Sequence, residues 1–180
     1  MGLSNLIQCA IMLIIILSLF GCLNVYESSY SLTPAAYTDP FAYCAAVGTV
    51  DVPDARYTGS LVPEAIARGL RNVFNTPDTS LDVFMKDTFW RCMNGKVYAC
   101  TVGANLPCES KANTSRVPTR AEKDFCQQNP NADFIPMSVT GHETVYEWRC
   151  KSGIPEIVRE FTQPDARGFL SNIWYEINPN

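Results

Sequence analysis

Six cysteines, at 44, 92, 100, 108, 126 and 150, constrain this chain more than any other feature. An even set of this density, downstream of an apolar leader, reads as three disulfides in an oxidising compartment. A zinc site would want CxxC-type pairs with histidines close by, whereas these spacings are wide and His142 is the only histidine. No cofactor is implied. Charged residues make up 18% of the 180-residue chain, with a net charge of -4 and no basic run. Nucleic acid is thereby excluded as a partner, because polyanion binding needs clustered Lys and Arg.

The remaining cysteines, Cys9 and Cys22, belong to the leader. No charged side chain precedes Glu27, and Cys9 to Leu17 is an unbroken apolar run. That length suits a signal h-region. Leu19-Phe20-Gly21-Cys22 resembles a bacterial lipobox, which implies lipidation of the Cys22 thiol and cleavage before it. The organisation expected is a lipoprotein-type signal over 1–21, a tether over 22–38 and a folded domain over 39–180. An uncleaved anchor from about Leu6 to Val25 is the second reading. Either way the domain is exported and held at the outer side of a bacterial membrane.

Within the domain, Pro63 to Phe74 places Ile66, Leu70, Val73 and Phe74 on one helical face behind an N-terminal proline. Thr119-Arg-Ala-Glu122 is a capping box opening a second helix that ends before Asn129-Pro130. Asn94-Gly95 joins two β-prone arms, and the pair suits a type I′ hairpin turn. That turn sets Cys92 opposite Val97 and Phe89 opposite Cys100, on opposite ribbon faces, which disfavours a Cys92–Cys100 bridge. Trp90, Cys92, Val97 and Ala99 should face the core, with Arg91 and Tyr98 on the wetter side. FIPMSV, TVYEWRC, IPEIVREF and FLSNIWYEI all read as strands, and FAYCAAVGTV is either a short helix or a strand. Segregated helices and strands predict an α+β domain, an antiparallel sheet of hairpins with about two helices. Cys108 is matched to Cys126 because they flank one loop and helix. The remaining four are matched as Cys92 with Cys150 and Cys44 with Cys100, a choice the spacing does not force.

Two short likenesses recur within the chain. Trp90-Arg-Cys-x-x-Gly95 returns as Trp148-Arg-Cys-x-x-Gly153, and Pro53-Asp-Ala-Arg56 returns as Pro164-Asp-Ala-Arg167. Shared turn chemistry explains both at less cost than duplicated binding loops. Asp51 and Asp54 are the nearest approach to a carboxylate pair, and His142 with Glu143 or Asp133 the nearest to a general base. Capping and ion pairing with Arg56 explain the aspartates, and a solvated turn explains the histidine. Trp90, Trp148 and Trp174, with Tyr98, Tyr146 and Tyr175, could stack on sugar rings, although strand-core positions are commoner.

DPFAYCAAVGTVDVPDARYTG, WRCMNGKVYACTVGANLPC and NPNADFIP with TGHETVYEWRC make most of the mature chain resemble small, hypothetical exported bacterial proteins. The resemblance implies export and brings no activity. The two Trp-Arg-Cys-x-x-Gly segments are also similar to the aromatic-x-Cys-x-x-Gly strand of membrane-bound inhibitors of c-type lysozyme. That second likeness implies a small secreted inhibitor as one alternative. The later motifs of those inhibitors have no counterpart here. The leading expectation is a non-catalytic binding or interaction module, with a cell-wall polymer or a protein as partner. A cell-envelope hydrolase using Asp51, Asp54 or His142 is the rival.

Overall fold

A computed structural model of the chain describes residues 36–103 and 105–179. The leader, the lipidation site at Cys22 and most of the tether lie outside the described residues. Helix α1 (Pro40–Val47) opens where the Asp39 carboxylate accepts the Phe41 N–H, with Pro40 in the first turn, and ends at Gly48. Of the two conformations the sequence left open for FAYCAAVGTV, this segment is therefore helical. Its backbone is already tied in at Tyr37, whose N–H donates to the Arg56 carbonyl at 2.8 Å.

Helix α2 (Glu64–Val73) buries Ile66, Ala67 and Leu70. Of the face expected from its period, Ile66 and Leu70 are buried, Phe74 is half-buried and Val73 is exposed, since the last turn runs past the sheet it packs on. Short α3 (Leu81–Lys86) follows, capped by Ser80 and burying Phe84. Strands β1 (Thr88–Met93) and β2 (Lys96–Thr101) form the hairpin, with Asn94 and Gly95 at φ 54° and 79°. Its register pairs Cys92 with Val97 and Phe89 with Cys100, as the turn chemistry requires. Helix α4 (Arg120–Gln128) starts at the Thr119–Glu122 capping box. Helix α5 (Met137–Thr140) replaces the strand expected over FIPMSV. The extended Pro136 opens it, and its carbonyl accepts the Val139 and Thr140 N–H groups. Strands β3 (Tyr146–Lys151) and β4 (Ile154–Glu160) form a second hairpin. A 3₁₀ turn (Ser171–Ile173) then leads into β5 (Tyr175–Ile177). So FLSNIWYEI is strand only at its end.

The result is a small α+β domain with two antiparallel sheets, β1-β2-β5 and β3-β4. Among the described residues five helices stand where about two were expected. The three-stranded sheet is covered on both faces, and this decides the fate of its polar residues. On one face Trp90, Cys92, Val97 and Ala99 join Tyr43, Ile66, Leu70 and Ile177 in a core against α1 and α2. Gly69 of α2 packs so close that an added Cβ would lie 2.4 Å from Ile177 Cγ2. On the other face the chain's C-terminal third brings Phe169 and Trp174 over the sheet, with Val145, Tyr146 and Trp148 continuing that second core.

Arg91 is accordingly buried, at 1% exposure, and not on a wetter face as its charge suggested. The register is right; the second face simply has its own cover. Its guanidinium lies between the rings of Phe169 and Trp174, at 4.4 and 4.2 Å from their centroids, and one nitrogen donates to Asp165. Cation–π contact and an ion pair together compensate the lost hydration.

The disulfides are Cys44–Cys92, Cys100–Cys108 and Cys126–Cys150. The expected partners Cys108–Cys126, Cys92–Cys150 and Cys44–Cys100 are all corrected. The reason is spatial. Each Trp-Arg-Cys strand is stapled to the helix lying across its own hairpin, Cys92 to α1 and Cys150 to α4, while Cys100 and Cys108 close a short loop after β2. Cys92 and Cys100 are unbonded to one another, as the register demanded.

The Trp-Arg-Cys-x-x-Gly likeness extends well past turn chemistry. Counting from the helix cysteine, the fourth residue's carbonyl (Gly48, Pro130) accepts the turn-glycine N–H (Gly95, Gly153) at 2.8 and 2.9 Å. The fifth residue's side chain (Thr49, Asn131) accepts the N–H of the preceding turn residue (Asn94, Ser152). The sixth residue's carbonyl (Val50, Ala132) accepts the strand-cysteine N–H at 3.0 and 2.8 Å. Ser152 and Gly153 repeat the double positive φ, at 52° and 80°. Two helix–loop–hairpin units therefore share a staple, a turn and these three hydrogen bonds, while the Val50 N–H, which donates back to Cys92, has no counterpart at Ala132.

Candidate functional site

Trp90 anchors a concavity built on the first unit. Its indole N–H donates to the Leu61 carbonyl at 2.8 Å, and its ring meets Tyr57 edge-on at 4.8 Å. These contacts tie the 51–62 loop to β1, and the loop and strand together line a cavity of about 570 Å³. Phe89, Phe169 and Trp174 contribute to its wall, and Val52 and Leu61, 73% and 90% exposed, stand at it as unsheltered apolar side chains. A volume of this size falls in the range of small-ligand sites.

One side of the cavity is closed by a charged clasp. Asp51 accepts from Arg167 Nε at 2.8 Å and from Lys111 Nζ at 2.9 Å. Lys111 also sits 3.4 Å from the Phe169 ring centroid and donates to the Arg167 carbonyl. The hydrogen bond from Arg167, with that from Lys111, holds the Asp51 carboxyl down at about 2. Asp51 is thus ionised and doubly paired, which removes it as a general acid. Tyr57 OH, Thr88 Oγ1 and Trp174 Nε1, all on wall residues, have no protein partner among the described residues.

A second cavity, about 580 Å³, adjoins Trp148 in the second unit. Phe134, Met137 and Phe161 are its exposed apolar wall, and a Glu147–Arg159 ion pair flanks it.

The carboxylates and histidine singled out in the sequence do not converge. Asp54 is chelated by Arg56, whose Nε lies 3.0 and 3.1 Å from the two carboxylate oxygens. This side-chain bond leads in bringing the Asp54 carboxyl to about 2. Asp54 also accepts the Arg56 N–H and so caps its own turn. His142 lies in the turn before β3, lines neither cavity, and makes no hydrogen bond to Glu143 or Asp133 among the described residues. The Pro-Asp-Ala-Arg likeness is a shared turn whose charges diverge. Arg56 folds back on Asp54, whereas Asp165 reaches Arg91 and Arg167 reaches Asp51. All three tryptophans are buried, at 3–7% exposure, so none offers a free flat platform for a sugar. Among the described residues no group of His, Cys, Asp and Glu is arranged to hold a metal.

Sequence reasoning missed Phe169, Lys111 and Leu61. Only the repeated Asp-Ala-Arg before Gly168-Phe169 hinted at that segment. No protein-family model, curated protein or solved structure matches the chain, so the residues alone carry the functional argument.

Proposed function

We propose that this is a non-catalytic binding module, lipid-anchored through Cys22 at the outer side of a bacterial membrane, that receives an apolar side chain of a protein partner. The Trp90 cavity carries the reading. Its wall is mostly aromatic and aliphatic, its rim bears unsheltered Val52 and Leu61, Asp51 is neutralised within the fold, and the remaining charges on it, Lys86 and Glu109, are exposed and of opposite sign. Sites of this make-up take apolar anchors, with a few polar groups for orientation. Three disulfides suit an oxidising location outside the cytoplasm.

The binding half is tested by titrating N-acetyl-phenylalaninamide, a capped apolar side chain, into the ¹⁵N-tryptophan-labelled full chain in lipid nanodiscs. The Trp90 and Trp174 indole N–H resonances should shift saturably. Unchanged resonances for both would remove the cavity as a binding site.

The anchoring half predicts that Cys22→Ser abolishes incorporation of labelled fatty acid and either releases the protein from membranes or blocks processing. A variant of normal size that stays membrane-bound would replace the lipid anchor with an uncleaved span.

A further inference from the structure

The two cavities occupy the same place in the two like-built units. Eight residues past the helix cysteine stand Val52 and Phe134, each an exposed apolar side chain on its cavity; the next residues, Pro53 and Ile135, also line them. Two residues before the strand cysteine come Trp90 and Trp148, both buried beneath their cavities. The preceding strand residues correspond as well, Phe89 with Glu147 and Thr88 with Tyr146. The volumes agree, at about 570 and 580 Å³. A staple, a turn and three hydrogen bonds repeat for structural reasons. Those constraints do not require an exposed apolar residue at the eighth position, where solvent favours a polar one.

From this we infer that the Trp148 cavity is a second binding site, equivalent to the Trp90 cavity, and that the protein engages its partner through two apolar anchors. The inference deepens the binding-module reading and rests on it. The occupant is an apolar side chain of a protein, in preference to a sugar. The indole faces are buried, while Val52, Leu61, Phe134 and Met137 present aliphatic or mixed apolar edges. The charged groups beside the second cavity, Glu147 and Arg159, are paired with one another at 2.5 Å and leave no net charge to select an ionic ligand. Two modest sites on one molecule raise avidity without any new contact, as suits a tethered protein meeting a surface-bound partner.

The same titration of the ¹⁵N-tryptophan-labelled full chain in nanodiscs decides it, because the three tryptophans report separately. N-acetyl-phenylalaninamide should move Trp148 as well as Trp90 and Trp174. Val52 and Phe134 are 73% and 62% exposed, so Lys at either position leaves the fold intact. Val52→Lys should weaken the Trp90 and Trp174 response by about tenfold or more and spare Trp148; Phe134→Lys should do the reverse. If Trp148 stays still while Trp90 and Trp174 move, the second site is overturned and the first stands. If none moves, the binding reading itself fails and takes the inference with it. If each variant silences all three resonances, the two cavities are not independent sites and the inference is overturned. Should N,N′,N″-triacetylchitotriose shift the indoles where the capped phenylalanine does not, the apolar-side-chain occupant is overturned in favour of a glycan.

Discussion

Asp165→Asn should cost the domain about 3–5 kcal/mol, the loss expected when one partner of a buried ion pair is removed and the other charge stays. Asn keeps an oxygen for the Arg167 and Phe169 N–H groups, which now donate to Asp165 at 2.8 and 3.2 Å, so the turn survives. What goes is the charge facing Arg91, whose side chain is 1% exposed and has Nε and Nη1 without partners among the described residues. The double variant Arg91→Met with Asp165→Asn should be more stable than Asp165→Asn alone. A methionine between Phe169 and Trp174 keeps apolar contact and leaves no buried cation. Denaturant unfolding of the oxidised protein checks both, and a double variant no better than the single would remove the ion-pair account.

The same pair makes stability depend on acid. Burial pushes the Asp165 carboxyl up. Hydrogen bonds from Arg91, Arg167 and Phe169 outweigh burial and hold it below its ordinary value. A depressed folded value means the contribution is complete above the unfolded value of about 3.9 and is lost as pH falls through the folded one.

Replacing the disulfides pairwise with alanine should destabilise in the order Cys44–Cys92, then Cys126–Cys150, then Cys100–Cys108. Cross-linking restricts the unfolded chain more as the closed loop lengthens, and the separations are 48, 24 and 8 residues. Chain-entropy arithmetic gives about 4, 3.5 and 2.5 kcal/mol respectively. The first two also hold a helix against its hairpin, so their loss frees α1 and α4 as units. Before any replacement, thiol titration of the denatured, unreduced protein should find no free thiol at these six positions. Midpoints from denaturant unfolding give the order. A larger loss from the Cys100–Cys108 pair than from Cys44–Cys92 would contradict the loop-length account.

Local chemistry was legible in the sequence wherever a few neighbouring residues decide the outcome. Asn94-Gly95 determines a turn because positive φ is a property of those two residues, and the turn then determines the register of β1 and β2. Thr119 and Glu122 determine a helix start because each side chain reaches the other's backbone. The burial of Ile66 and Leu70 on α2 follows from its period, whereas Val73, on the same predicted face, is exposed. Asp51 was singled out but assigned to a capped turn paired with Arg56, which pairs with Asp54 instead; the partners of Asp51, Lys111 and Arg167, lie 60 and 116 residues away in the chain. FIPMSV misled because short apolar runs suit either state, and the extended Pro136 tipped it to helix.

Tertiary structure decided the rest, through contacts between segments far apart in the chain. Disulfide pairing depends on which helix crosses which hairpin, and loop spacing carries no record of that. Arg91 looked like a solvent-facing residue because one strand cannot show that Phe169 and Trp174, some eighty residues on, will cover its second face. The Trp-Arg-Cys-x-x-Gly likeness was plain in the sequence as four matching residues, one of them the turn glycine. Its extent appears only when Gly48 and Pro130, or Val52 and Phe134, are seen to occupy matching places against the two hairpins. Those residues share no identity, because what repeats is backbone geometry and exposure, which different side chains can satisfy.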